Sequence, residues 1–334
     1  MLIKIIKNHQ QLKMSFTHRR SIRLSRSTID GVSSLCPLFP STPNSFIVEE
    51  DEEAADRLTG LLGTTWKLHT VSPLCTFSYD EAILKKYESI INQELLNLKK
   101  KYTHYRVTIE LCPNFSISEN DDISFRLRIQ SKVKKVEKSF YDGVFLSWRN
   151  TNPSKFYNLK YVHLPLLLCN GSVSNIKCVH DILSSLLDCV FGNFIFSQND
   201  FKWLSSIALS CIPHESSSAS FIFYSPNDAK KTLSLRLSLE DLKSVWEMIK
   251  EGERITINDV MRLFAALQEH FLNTYNLNVD CNIFKTVSIA KSLTINNSGK
   301  IRINSASMMD SLLKYCTSSY MSRRPKDKHS GVGI

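Results

Sequence analysis

Tyr105-Arg106-Val107-Thr108-Ile109-Glu110-Leu111, stopped by Cys112 and Pro113, sets Tyr105, Val107, Ile109 and Leu111 against Arg106, Thr108 and Glu110. Successive side chains of an extended backbone point to opposite sides, so this period of two marks a strand with one buried and one wetted face. A second strand repeats the pattern: Ile123, Phe125, Leu127 and Ile129 alternate with Ser124, Arg126 and Arg128. Two such strands in succession predict an antiparallel sheet with one face on the core.

Outward from this pair the period changes. On the N-terminal side Ile83, Tyr87, Ile90, Ile91, Leu95 and Leu98 recur at helical spacing and bury one face of a helix. Before it, Trp66 to Tyr79 reads as a first or edge strand running into a turn at Pro73, with Trp66 expected to anchor the N-terminal core. On the C-terminal side Val144 to Trp148 and Tyr161 to Leu168 read as buried strands. A helix follows Asn170-Gly171, carrying Ile176, Val179, Ile182, Leu183, Leu186, Leu187 and Val190 and stopping near Gly192. Strands at Phe221–Tyr224 and Leu233–Leu239 precede helices at Leu239–Lys250 and Thr256–Asn273, the second capped by Thr256 with Asp259 in its first turn. Strands at 276–283 and 285–295, a turn at Asn297-Ser298-Gly299, a short Ile301/Ile303 strand and a helix from Ser307 to about Met321 close the chain.

Strands and helices in clusters predict an α+β fold of mainly antiparallel sheets with packed helices in two subdomains. Turn-rich Asn150 to Ser154 places the division, giving an N-terminal subdomain over 58–155 and a C-terminal one over 156–321. Residues 1–57 lack any sustained apolar period and are expected to form a disordered basic and acidic tail; residues 322–334 are expected to form a basic one. A transit peptide is the other reading of the acid-poor, Ser-rich start.

The formal charge of +10 over 334 residues is unevenly spread. Residues 1–45 hold seven Lys/Arg against Asp30, a net +6, and residues 321–334 hold four against Asp327, a net +3, leaving +1 between them. The tails carry the excess, which permits a polyanionic partner without demanding one. No run approaches the roughly 20 apolar residues that span a bilayer, so no membrane partner is expected. Nine scattered cysteines without a secretory signal are expected to be reduced thiols in a cytosolic or nuclear compartment.

Chemistry is hard to find. Ten glycines form no phosphate-binding loop. No Cys-x-x-Cys occurs, and Cys178, His180, Asp181 and Cys189 spread around a helix that needs its apolar side for packing, so no metal or other cofactor is expected. His214-Glu215-Ser216 are sequence neighbours on a Ser-rich loop and cannot form a catalytic relay, and Asp121-Asp122 sit where turn residues belong. No catalytic residue is assigned. The one promising constellation is electrostatic: Arg126, Arg128, Lys132 and Lys134 project from one side of an extended second strand, with Lys135 and Lys138 in the following turn and Arg106 on a neighbouring strand. Such a face suits phosphates, and these seven residues are the candidate DNA contacts. An ordinary solvated face that deters edge pairing is the competing reading.

Several strings, taken together, resemble the centromere protein L family of the inner kinetochore. They are Trp66-x-Leu68-x-Thr70-Val71-Ser72-Pro73-Leu74-x-x-Phe77-Ser78-Tyr79, and Leu164-Pro165-Leu166-x-Leu168-x-Asn170-Gly171 with Ser174-Asn175. Asp188-Cys189-x-Phe191, Trp203 and Glu240-Asp241-x-Lys243-x-x-Trp246 follow. Thr256, Val260, Phe264, Leu267, His270-Phe271 and Gly299-Lys300-Ile301-x-Ile303 complete a collinear set. The resemblance implies a fold like that of bacterial RdgC proteins and a non-catalytic scaffold role in chromosome segregation. It also implies a nuclear location at the centromere and kinetochore, and a heterodimer with a centromere protein N-like chain formed by extending a β-sheet. Other inner-kinetochore subunits and centromeric DNA or nucleosomes are further implied partners. By that resemblance strands 276–295 and 300–303 are the expected partner edge, with Leu277, Val279, Cys281, Ile283, Lys300, Ile301 and Ile303 as its residues. An RdgC-like nucleic-acid-binding protein, nuclear or mitochondrial, without a kinetochore role is the alternative.

Overall fold

The computed structural model describes residues 45–48, 56–98, 104–116, 121–133, 136–148, 161–213, 217–225, 228–278 and 283–323. In chain order the strands are β1 (Ser45–Ile47), β2 (Thr65–Val71), β3 (His104–Cys112), β4 (Ser124–Val133), β5 (Val136–Leu146), β6 (Leu166–Gly171) and β7 (Phe191–Asn193). They continue with β8 (Ser218–Ser225), β9 (Asp228–Ser238), β10 (Arg254–Thr256), β11 (Ile283–Ile289), β12 (Leu293–Asn296) and β13 (Lys300–Ile303). The helices are α1 (Glu81–Leu98), α2 (Val173–Leu187), α3 (Gln198–Cys211), α4 (Leu239–Ile249), α5 (Ile257–Tyr275) and α6 (Ala306–Arg323). This is the expected α+β class.

One antiparallel sheet runs β3-β4-β5-β6-β2-β13-β12-β11-β8-β9, with β7 also paired to β2. It passes without a break across the expected subdomain division, because β2 joins β6 on one side and β13 on the other. Two cores form on opposite faces. Trp66, Leu68, Val144, Leu168, Ile301, Ile295, Val287, Phe221 and Leu235 pack beneath residues of α3 to α6 such as Trp203, Trp246, Leu263 and Leu312. On the other face Val71, Leu167, Phe145, Phe125, Leu127 and Ile129 pack beneath Leu84, Tyr87 and Ile91 of α1 and Val179 and Leu183 of α2. Each face is therefore covered along only part of the sheet. Trp66 is corrected from the N-terminal to the larger core: its neighbours on β2 alternate, and its side of the strand faces Ile301 on β13.

Helix α6 ties the two parts together. Met308, Met309, Leu312, Leu313, Tyr315 and Cys316 are fully buried, and three of its buried polar side chains find partners. Asp310 accepts from Trp148 Nε1 at 2.8 Å, Tyr315 donates to Asp200 at 2.7 Å, and Thr317 donates to the Ser147 carbonyl at 2.9 Å. Such pairing removes the penalty of burying polar groups. Gly299 makes the β12–β13 turn at φ +80°, and a Cβ there would stand 2.3 Å from the Phe194 carbonyl.

Three expectations change, and one helix was not anticipated. Ser45–Ile47, expected within a disordered tail, forms β1 against β10, because Phe46 buries in the larger core edge-on to Tyr315. Helix α2 stops at Asp188, in the left-handed region, rather than near Gly192. Helix α3 escapes periodicity because it is buried nearly all round, from Phe201 and Trp203 to Leu209, although Ser197 and Asp200 form a capping box. The strand expected at 276–283 is absent over 276–278. Asn276 is left-handed there, and the Asn276 and Leu277 amides bond back to Leu272 and Phe271, a helix-ending motif that folds Leu277 onto the core.

Candidate functional site: sheet edge and basic face

The sheet has two ends, and they differ. At β3 the Ile109 amide donates at 2.6 Å to Glu88 Oε1 of α1, so a helix side chain occupies the outer side of the strand. At β9 no second strand pairs beyond β8 among the described residues. Leu235 and Leu237 of β9 are buried, Thr232 and Arg236 face outward, and the strand ends in the Ser238 cap of α4.

This corrects the expected partner edge. β11 lies between β12 and β8, and β13 between β12 and β2, so neither is an edge. Ile301 and Ile303 are core residues, Lys300 faces outward from an interior strand, and Ile283 is exposed where β11 begins. Leu277 belongs to the end of α5, while Val279 and Cys281 lie outside the described residues. Alternation identified strands here but not their neighbours: β2, far earlier in the chain, fills the place beside β13.

The expected basic face is also corrected. Arg126, Arg128 and Lys132 do share a side of β4, yet acids of β3 and β5 meet them. Arg126 binds Asp142 through Nε at 2.8 Å and through Nη2 at 2.6 Å, and its guanidinium lies 5.9 Å from the Trp66 ring centre. The Asp142 bond holds the Arg126 guanidinium charged and raises its pKa further. Arg128 binds both oxygens of Glu110 at 3.1 and 3.0 Å, and Lys132 stands opposite Glu137. Arg106 is exposed opposite Gln130. Lys138 stands opposite Ser131, on the other face, because the β4–β5 register shifts between Ile129 and Gln130. Lys134 and Lys135 lie outside the described residues.

A second open face was missed. On the side of β2, β13, β12, β11, β8 and β9 away from the larger core stand Lys67, Lys300, Arg302 and Arg236, interleaved with Thr294, Ser288, Ser220 and Ser234. Lys285 lies 5.0 Å over the Tyr224 ring on this side. No Asp or Glu occurs in 65–67, 218–224, 231–238, 283–289, 293–296 or 300–303. Among the described residues Lys67, Arg236, Lys300 and Arg302 form no ion pair. The signal in the sequence was the same alternation, with basic and hydroxyl residues between apolar ones, divided among strands too short to stand out.

Where this face passes beneath α2, His69, Cys169 and His180 meet. Burial, reinforced by Lys67, pushes the His69 imidazole down to about 4, and burial followed by His69 and Lys67 pushes His180 down to about 3. Burial pushes the Cys169 thiol up to about 12, with Lys67 opposing.

A family model described as Centromere protein L matches residues 60–323. The chain belongs to the centromere protein L family. Relatives bearing that name include proteins of Xenopus tropicalis, 24% identical over 77% of this chain and 78% of the relative, and of Homo sapiens, 22% identical over 85% and 86%. The Mus musculus relative is 22% identical over 80% and 86%. The family match runs from the turn before β2 to the last residue of α6, and so takes in both cores, the β9 end and the acid-free face.

Proposed function

We propose that this centromere protein L family member is a non-catalytic structural subunit of the inner kinetochore. It acts in the nucleus, at the centromere, and pairs with a centromere protein N-like chain whose strand adds to β9. The observation that carries this reading is the position of β9: it ends the sheet with no further strand among the described residues, while at the opposite end Glu88 of α1 caps one outward amide of β3. A bare edge presents a row of backbone donors and acceptors that a partner strand satisfies. Arg236 at the edge deters pairing with a second copy by like-charge repulsion, leaving an acidic or neutral strand as the better match. Copurification with a centromere protein N-like chain and paired foci of the tagged protein on chromosomes are the expected results. A stable monomer indifferent to that chain, or a mitochondrial signal, overturns the reading.

The acid-free face supports a second contact, with centromeric DNA. Its cations sit on strands contiguous with β9, so a duplex lying there would approach the partner as well. Unpaired cations release counterions from phosphates, whereas Arg126 and Arg128 are already neutralised. Direct DNA contact is therefore assigned to Lys67, Arg236, Lys300 and Arg302 in place of the β3–β4 face, and is tested by the salt dependence of binding after charge reversal.

A further inference from the structure

Three residues remote in sequence meet under α2. His69 and Cys169 are diagonal neighbours on the same face of the β2–β6 pair, because Lys67 stands opposite Cys169 and His69 opposite Leu167. His180 descends from α2, its ring edge-on to that of His69 with centroids 4.8 Å apart and stacked on Phe191 at 4.4 Å. One donor atom from each of the three residues lies within 4.8 Å of the others, and all three residues are buried.

Their partners leave a lone pair in the middle. His69 Nε2 is buried with no partner. The residue itself is only 5% exposed, so the vacant nitrogen cannot turn to bulk water. A buried nitrogen without a partner has lost its bond to water, and a bound ion would replace it. The Tyr141 hydroxyl stands 3.3 Å from His180 Nε2 and steadies that ring. A half-open depression of about 430 Å³, lined by His69, His180, Asp181 and Phe191 among others, leads to the cluster from solvent.

We propose that His69, Cys169 and His180 bind one zinc-class divalent ion, its fourth position open to this depression and taken by water. Two imidazoles and one thiolate are borderline-to-soft ligands that favour zinc over magnesium or calcium, which seek oxygen. Bonds of about 2.0–2.1 Å to nitrogen and about 2.3 Å to sulfur place donors roughly 3.5 Å apart, so small side-chain rotations close the set. The Cys169 thiol loses its proton to solvent as the bond to the metal forms, leaving a site of net charge +1 in a depression walled by both Asp181 and Lys67. Tyr141 then serves as an outer-shell partner that orients the His180 ring. Because the ligands come from β2, β6 and α2, the ion fastens α2 to the centre of the sheet. Neither His69 nor Cys169 neighbours His180 in the sequence, which is why no ligand spacing announced them.

The test uses the full chain, stripped with a chelator and titrated with Co(II), then Zn(II). One equivalent of Co(II) should give the visible bands of a tetrahedral ion and a thiolate-to-cobalt charge-transfer band, both displaced by Zn(II). Cys169→Ser should abolish the charge-transfer band, Cys178→Ser should leave it, and Tyr141→Phe should weaken binding by about tenfold. Absence of binding, a six-coordinate spectrum, or a charge-transfer band that survives Cys169→Ser overturns the proposal. Should Cys169→Ser fail to fold by circular dichroism, X-ray absorption at the zinc edge of the wild-type chain decides. A first shell of one sulfur and two imidazoles upholds the site, and any other shell refutes it.

Discussion

At one end of the sheet the Ile109 amide of β3 is bound by Glu88, and at the other β9 stops with no further strand among the described residues. The two uncovered faces show the same asymmetry. Beside β3 the cations Arg126 and Arg128 are closed by Asp142 and Glu110, whereas beside β9 Lys67, Arg236, Lys300 and Arg302 stand among hydroxyls and form no ion pair among the described residues. Strand alternation thus reports which side chains face outward, not whether that outward surface is satisfied. Satisfaction depends on what the neighbouring strand or helix supplies, and the β3 end receives more of it than the β9 end does.

Partner binding should respond most strongly. Proline placed in turn at Thr232, Leu233 and Ser234 removes successive amides that alternate between β8 and the edge. At an edge-facing position it should lower affinity for the centromere protein N-like chain by about a hundredfold or more with little change in melting temperature. An equal fall in affinity from Val107→Pro on β3 would erase the distinction between the two ends.

Next in size is DNA binding. Reversing Lys67, Arg236, Lys300 and Arg302 to Glu should flatten its salt dependence by about 0.9 in log–log slope for each phosphate no longer neutralised. Reversing Arg126 and Arg128 instead should leave that slope nearly unchanged, and the opposite ranking would return the DNA surface to the β3–β4 face.

A smaller effect concerns the β3 edge. Glu88→Ala orphans the Ile109 amide and should cost about 1–3 kcal/mol in urea unfolding, with Glu88→Gln recovering much of it. Arg128→Ala should do least. That pair is 43% and 46% exposed, so its removal should cost about 0.2–1 kcal/mol and fade as salt is added.

Much of the fold was legible because its elements are amphipathic. The α1 helix and the β3–β4 pair show clear periods, as does α5 with its Thr256 and Asp259 cap, since each has one wet face. What stayed hidden was buried or nonlocal. Helix α3 has no wet face to create a period, Phe46 makes a strand only because the larger core receives it, and Leu277 alternates in a segment whose backbone is ending a helix. The candidate site was less legible. Arg126 and Arg128 were placed correctly on one side of β4, but Asp142 and Glu110 that neutralise them come from adjacent strands. The edge was misplaced for the same reason, since β2 closes β13 from far away in the chain. His69 and Cys169 join His180 through register and helix packing, which no local spacing encodes.

Whether β9 is the open edge that a partner strand completes can be read from hydrogen–deuterium exchange of the chain alone and with its centromere protein N-like partner. Amides of β9 should exchange faster than those of interior β11 and β13 in the isolated chain, and become protected when the partner is added, while β3 does not change. Protection appearing at β3, or no new protection at β9 in a formed complex, would refute the assignment of β9 as the partner edge.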